Sequence, residues 1–172
     1  FNVSVNAGPA IQFNGVDGLT INGLSGDDEI NFDLNGLNMV NDVTVDSGQP
    51  GASKGDTVTV RGGAAADNPT YTPGVPFAGT LALNAGETLN LTNTENLVYH
   101  GEAQDETLTV NGSGTFVHTP GSDLDAGDIA INNGSDVLLG ISYIHLGLGG
   151  SLVLNGLGGD DTLIANGTGS DD

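Results

Sequence analysis

One pattern occurs three times along this chain and constrains its fold more than any other feature. Each copy has two short alternating segments, then a turn that carries an acidic pair, and a third alternating segment directly after that pair. The copies span residues 11–33, 89–111 and 144–166, so they lie 78 and 55 residues apart. Internal repetition of this kind is typical of architectures in which each repeat packs on the next.

Alternation of apolar and polar residues with a period of two runs through sixteen short segments, and this period buries one face of a strand. Seven Asn-Gly dipeptides supply turns, because both residues tolerate positive φ. No segment shows sustained helical periodicity. The chain is therefore predicted to be all-β. The tight spacing of the segments favours a parallel β-helix or β-solenoid of short strands, and a β-sandwich is the alternative.

The spacing also indicates how the chain is organised. The two offsets differ by 23 residues, which matches one additional coil of three short strands. We expect one domain over residues 1–172 that belongs to a longer array. Residues 63–79 hold three of the six prolines, and we predict a loop excursion there because proline cannot donate to a central strand ladder.

Apolar residues at matching positions of the three copies are predicted to form the core. Stacking of like positions would bury continuous rows of side chains, each worth about 1.5–3 kcal/mol of transfer free energy. The predicted core residues are Ile11, Phe13, Leu19, Ile21, Ile30, Phe32, Leu89, Leu91, Leu97, Tyr99, Leu108, Val110, Ile144, Leu146, Leu152, Leu154, Leu163 and Ala165.

The charge of the chain excludes several partners. Twenty-two acidic residues face only Lys54 and Arg61, which leaves a net charge of −20. Nucleic-acid binding needs clustered basic residues, and an acidic chain is repelled by anionic membranes. The chain has no cysteine and no apolar run of membrane-spanning length. This composition is typical of a secreted or cell-surface bacterial protein.

The acidic turns carry the clearest chemistry. In the first and third copies, glycines permit a tight turn, and the second aspartate comes two residues before a core aliphatic. Carboxylates and turn carbonyls are the oxygen ligands that Ca²⁺ requires, so Ca²⁺ is the predicted cofactor. The alternative is that these side chains only cap their own turns. The candidate ligands are Asp27, Asp28, Asp56, Asp105, Glu106, Asp128, Asp160 and Asp161.

These turns resemble the nonapeptide of the RTX (haemolysin-type) calcium-binding repeats, in which glycines and an aspartate precede an aliphatic residue. The residues that match this pattern are Gly23, Gly26, Asp28 and Ile30, and then Gly156, Gly159, Asp161 and Leu163. Leu24 and Leu157 stand where the family has its second glycine, and the motifs here are isolated rather than in tandem. The resemblance implies calcium bound at the turns.

The chain as a whole is similar to repeat regions of very large secreted bacterial proteins, which implies extracellular display and no catalysis. The predicted function is a calcium-stiffened structural or adhesive segment of a surface protein, matrix protein or filament. Neighbouring repeats would be its partners end to end, with carbohydrate or other cell-surface components as further partners. One alternative is a filament subunit that donates residues 1–5 as a strand. The other is a polysaccharide-acting β-helix enzyme, for which adjacent Asp27 and Asp28 are poorly placed.

Overall fold

A computed structural model describes residues 2–12, 16–34, 42–49, 54–83 and 86–168. The residues it describes form sixteen strands and no helix, and hence no helix that could cross a membrane. The prediction of an all-β chain is confirmed. The strands are β1 (Asn2–Val5), β2 (Ile11–Gln12), β3 (Gly18–Asn22), β4 (Glu29–Asp33), β5 (Asp42–Asp46), β6 (Thr57–Arg61), β7 (Thr70–Pro73), β8 (Gly79–Ala82), β9 (Thr88–Thr92), β10 (Asn96–His100), β11 (Thr107–Gly112), β12 (Thr115–Pro120), β13 (Gly127–Asn133), β14 (Asp136–Ile144), β15 (Ser151–Gly156) and β16 (Thr162–Ala165).

The strands belong to two open sheets that mix parallel and antiparallel pairs. The nine-stranded sheet has the order β16, β12, β13, β14, β10, β6, β4, β1, β2, and the seven-stranded sheet has the order β15, β11, β7, β8, β9, β5, β3. The chain crosses between the two sheets repeatedly. We use "rung" for a strand of the seven-stranded sheet together with the next strand along the chain, which lies in the nine-stranded sheet.

Three rungs are paired in parallel and in register: β3–β4, β5–β6 and β9–β10. Two further rungs, β11–β12 and β15–β16, pair with each other in the same way. Every rung contains a turn from the seven-stranded to the nine-stranded sheet, and we call the side where these turns lie the first edge. The turns that lead back lie on the second edge.

The core lies where the inward faces of the strands form continuous rows. In the nine-stranded sheet Phe32 is in register with Val60, Val60 with Tyr99, and Tyr99 with Tyr143. Phe32, Val60 and Tyr99 are at most 1% exposed. Alternate positions of these strands are more exposed, as the period of two requires. An inward side chain in such a row packs against the strands on both sides of its own. This burial of apolar area is the main source of stability here.

The predicted register of the repeat is wrong. The sequence comparison aligned Leu97 with Leu19, whereas the structure places Leu97 in register with Val58, which is in register with Ile30. Leu19 is in register with Val43. The three segments of the first copy lie in the nine-, seven- and nine-stranded sheets, whereas those of the second copy lie in the seven-, nine- and seven-stranded sheets. The unit that repeats in the structure is therefore a rung of two strands.

The proline-rich stretch 63–79 is not wholly irregular. Residues Thr70–Pro73 form β7, which pairs antiparallel with β8 and parallel with β11 inside the seven-stranded sheet. Tyr71 is fully buried, and its hydroxyl donates a hydrogen bond of 2.6 Å to the carbonyl oxygen of Leu139. Pro73 ends the strand, a position at which a missing N–H does not interrupt the ladder.

Most predicted core residues within the described ranges are buried, but the ends of the sheets differ. Ile11 is 57% exposed and Leu163 is 60% exposed, because β2 and β16 are the outermost strands of the nine-stranded sheet. Ala165 is also exposed. Phe13 lies outside the described residues.

Candidate functional site

Acidic side chains connect successive rungs at the first edge. Asp28, Asp56 and Glu95 each stand directly before a strand of the nine-stranded sheet, at matching positions of three rungs. The backbone N–H of Asp28 donates to Oδ1 of Asp56 at 2.7 Å, and the N–H of Asp56 donates to Oε2 of Glu95 at 2.7 Å. The carboxylates of Asp56 and Glu95 therefore each accept the backbone amide of the acidic residue one rung earlier.

The same contact recurs elsewhere in the described chain. At the second edge the backbone N–H of Asp67, in the turn before β7, lies near the carboxylate of Glu106, which directly precedes β11, and lowers its pKa. The N–H of Gly114 donates to Oδ1 of Asp161 at 2.7 Å, and these two residues precede the paired strands β12 and β16. We call this amide-to-carboxylate bond between neighbouring strands the inter-rung clamp.

The clamp has a physical reason and a sequence signal. A backbone N–H in a turn loses its water when the next rung covers it, and a carboxylate is a strong acceptor that restores the bond. An acidic residue two positions before an apolar strand residue marks the accepting carboxylates of Asp56, Glu95 and Asp161, and it also marks Asp28 and Glu106. Glu95 carries this signal too, but it is absent from the predicted ligands because its turn, unlike those of Asp28 and Asp161, contains no glycine.

Replacing Asp56 by alanine is expected to lower the free energy of unfolding by about 1–3 kcal/mol, because the buried N–H of Asp28 loses its acceptor. Asp56→Asn keeps an acceptor oxygen and should cost less. Urea unfolding of both variants measures the difference. Asp160→Ala is the matched control, since Asp160 is exposed in the same kind of turn. Equal losses for Asp56→Ala and Asp160→Ala would show that the clamp does not stabilise the fold.

In three acidic residues at these two edges, one carboxylate oxygen is buried without a hydrogen-bond partner. These atoms are Oδ2 of Asp28, Oδ2 of Asp56 and Oε1 of Glu106. Asp56 and Glu106 have no exposed surface, and Asp28 is 5% exposed. Burying such an oxygen unpaired costs several kcal/mol when it is charged. The site therefore favours binding either a proton or a cation at these positions.

Burial raises the pKa of the Asp56 carboxyl. The N–H of Asp28 acts in the opposite direction, and the neighbouring charges of Asp28 and Asp27 add to the increase. Asp56 is thus the acid of the first edge whose ionised form is disfavoured by both its burial and its acidic neighbours.

Glu106 is the corresponding acid of the second edge. Burial raises the pKa of Glu106 to about 7. The hydroxyl of Tyr99, which donates to Oε2 of Glu106, lowers this pKa, and the negative charges of Asp67 and Glu102 raise it. Burial also raises the pKa of the Tyr99 hydroxyl well above its usual range, so this group stays a neutral donor.

The predicted calcium ligands do not gather into one cluster. The structure brings Asp28 and Asp56 together, and exposed Asp27 lies nearby, accepting the N–H of Lys54 at 3.3 Å. Asp105 accepts the N–H of Gly149 at 2.8 Å on the second edge. Within the described ranges, no group of three or more histidine or acidic side chains could hold a metal ion.

The remaining candidates lie apart from these pairs. Asp128 is on β13 and accepts a hydrogen bond from the hydroxyl of Ser142. Asp160 and Asp161 are exposed in the turn before β16, where Asp161 forms its clamp with Gly114. The described hydrogen bond of Asp128 therefore links two paired strands, and that of Asp161 is an inter-rung clamp.

A basic and aromatic cluster at the second edge was not predicted from the sequence. His145 Nδ1 lies 3.0 Å from His100 Nε2, and the rings meet edge to face with centroids 4.5 Å apart. Arg61 pairs with Glu102 at 2.6 Å. Burial, followed by the charge of Arg61, lowers the pKa of His100. Contacts between residues about 40 apart in sequence leave no local signal.

Comparison of the chain with models of known families, with curated proteins and with solved structures finds no match. What the chain does must therefore be inferred from its stacked carboxylates and its two sheets.

Proposed function

We propose that the chain is a non-enzymatic structural or adhesive segment. It would be a calcium-stiffened β-solenoid, displayed outside the cell by a bacterial surface protein, matrix protein or filament. The observation that carries this proposal is the inter-rung clamp, which joins acidic residues of successive rungs at the first edge. Charged side chains that link each rung to the next would stiffen the stack along its length.

The strand pairing supports the solenoid part of the proposal. Rungs related by 24 residues in one sheet and 28 in the other, from Gly18 to Asp42 and from Glu29 to Thr57, are paired in parallel without a change of register. The hairpin β7–β8 and the antiparallel strand β13 would then be insertions into the stack. Neighbouring repeats or neighbouring copies are the natural partners of the outer strands.

Calcium is supported by the charge balance. The chain carries −20, and oxygens of Asp28 and Asp56 are buried without a partner at the first edge. A hard divalent cation with flexible coordination would neutralise this pair and use oxygens that are already in place. The role as a donor of residues 1–5 to another subunit receives less support, because β1 pairs with both β2 and β4 of its own sheet.

Calcium is expected to raise the melting temperature. An extracellular-type site with a Kd of ~10⁻⁴ M in ~2 mM calcium gains about 1.5–2 kcal/mol per ion. For a domain of this size that corresponds to about 3–8 °C. Thermal melts in calcium and in chelator, at matched ionic strength with sodium and magnesium as controls, measure the shift, and negative-stain imaging shows whether rods form. An unchanged melt together with a compact monomer would contradict the proposal.

A further inference from the structure

We propose that the second edge holds a divalent-cation site of its own, formed by the carboxylates of Asp67 and Glu106 and the hydroxyl of Tyr99, and suited to calcium. This assignment rests on the calcium-dependent role proposed above. It differs from the acidic turns of the sequence pattern, because Asp67 and Tyr99 belong to neither the glycine-containing turns nor the candidate ligands named from them. Of the three residues, only Glu106 was a candidate ligand.

Three separate elements bring these oxygens together. Asp67 lies in the turn before β7, Tyr99 on β10, and Glu106 directly before β11. Asp67 Oδ2, Tyr99 Oη and Glu106 Oε1 lie 2.8, 3.1 and 3.3 Å from the position that a Cβ atom on Gly62 would occupy. The absence of a side chain at residue 62 leaves this space to the oxygens.

The carboxylate of Glu106 has capacity left for a ligand. Glu106 is fully buried, its Oε2 accepts the hydroxyl of Tyr99, and its Oε1 has no hydrogen-bond partner. Asp67 Oδ2 accepts only the N–H of Gly63 among the described hydrogen bonds, at 2.6 Å, and a carboxylate oxygen can accept more than one bond. Both carboxylates can therefore coordinate an ion without losing an existing bond.

No basic side chain compensates the charge of this pair. The chain has two lysine and arginine residues in total. Arg61 is bound to Glu102 at 2.6 Å, and Lys54 lies in the turn between β5 and β6 on the first edge. Two carboxylates that face one another at the edge of a low-dielectric core repel, and an external cation removes this repulsion.

The donor atoms favour calcium over other divalent ions. The three converging groups all present oxygen atoms. The backbone carbonyl oxygen of His145 also lies near Glu106, beside Gly101. Zinc and copper select nitrogen or sulfur, and magnesium demands near-ideal octahedral geometry. Calcium accepts irregular oxygen shells completed by water.

Terbium luminescence tests this site directly in the full chain. Tb³⁺ replaces calcium at oxygen sites and emits when a nearby phenol is excited, and the chain has three tyrosines and no tryptophan. We expect emission from the wild type that calcium displaces. Tyr99→Phe should remove the emission while keeping both carboxylates. Tyr143→Phe is the matched control, because the Tyr143 hydroxyl lies 2.8 Å from His118 Nε2 instead, and it should retain the emission.

Two further variants test the ligands and the space between them. Glu106→Gln is expected to raise the Kd for calcium by about 10- to 100-fold, the loss of one charge-assisted contact. Gly62→Ala removes no ligand and changes no charge, yet it should weaken binding because its Cβ would lie 2.8–3.3 Å from all three oxygens and force them apart. Circular dichroism confirms that each variant is folded.

The outcomes separate this site from the wider proposal. If calcium stabilises the wild type but Tyr99→Phe keeps its emission and both other variants keep their affinity, the second-edge site is wrong and the calcium-dependent role stands. If neither calcium nor terbium binds the wild type, both are wrong. Loss of emission in Tyr99→Phe alone, with Tyr143→Phe unaffected, places the ion beside Tyr99.

Discussion

Replacing Phe32 by alanine is expected to lower the free energy of unfolding by about 3–5 kcal/mol. Phe32 is 1% exposed and lies between Val3 of β1 and Val60 of β6 in the nine-stranded sheet. Removal of its ring leaves a cavity in a row of side chains that the two flanking strands cannot close by moving, because their registers are fixed by hydrogen bonds. Urea unfolding measures the loss.

Phe77→Ala provides the matched control. Phe77 is 53% exposed in the loop between β7 and β8, so the same substitution should change the free energy of unfolding by less than about 1 kcal/mol. A loss for Phe32→Ala no larger than that for Phe77→Ala would mean that the row through Phe32, Val60 and Tyr99 is not the stabilising core.

In chelator, the stability of the wild type relative to Glu106→Gln is expected to fall by about 3 kcal/mol as the pH rises from 4.5 to about 8. The pKa of Glu106 is raised from 4.5 to about 7, so the folded state favours the neutral carboxyl. Its contribution is therefore fully present below pH 4.5 and is lost as the pH rises through 7. The groups that face it are the Tyr99 hydroxyl and the carboxylates of Asp67 and Glu102.

Chemical unfolding of both proteins at several pH values measures this difference, and the glutamine variant removes the titration while keeping the size of the side chain. Asp56 contributes a slope of the same sign, because its pKa is also raised, but it is present in both proteins and cancels. Parallel curves for the wild type and the variant would show that Glu106 ionises in the folded state as it does in the unfolded chain.

The positions of the strands could be predicted from sequence because alternation is a local property. Among the sixteen alternating segments, those at Thr57–Arg61 and Thr162–Ala165 coincide with β6 and β16. Two other alternating segments, 137–139 and 143–144, belong to the single strand β14, which runs on through Gly140 opposite a register shift in β13. β7 was missed because Pro69 and Pro73 frame it, and proline argues against a strand unless the pairing of that strand is known.

The order of the strands in the sheets could not be predicted from the same signal. A period of two fits Leu97 equally well onto Leu19 or onto Ile30, and only the sheet to which a strand belongs decides between them. That choice depends on how many times the chain has already crossed between the two sheets. The hairpin β7–β8 changes this number because both of its strands lie in the seven-stranded sheet.

The candidate site was predictable in part. The acidic residue before a strand was recognised at Asp28, Asp56, Glu106 and Asp161, but it was interpreted as part of a glycine-rich turn. For Asp56 and Asp161 the structure shows that the partner is the backbone amide of a residue 28 and 47 residues away, directly before a neighbouring strand or in the turn that leads to it. Asp67 and Tyr99 gave no signal, because their relation to Glu106 exists only once the second edge has formed.

Strand pairing also determines how such a segment would respond to force. Hydrogen bonds between neighbouring strands lie across the strands, along the direction in which the rungs follow one another. A pull in that direction loads the bonds of one strand pair at a time. The pair β10–β14 and the pair β6–β4 would therefore separate one after the other and not together. A segment built this way lengthens under tension in small steps, each of which releases one strand, and the rungs that remain paired continue to bear the load.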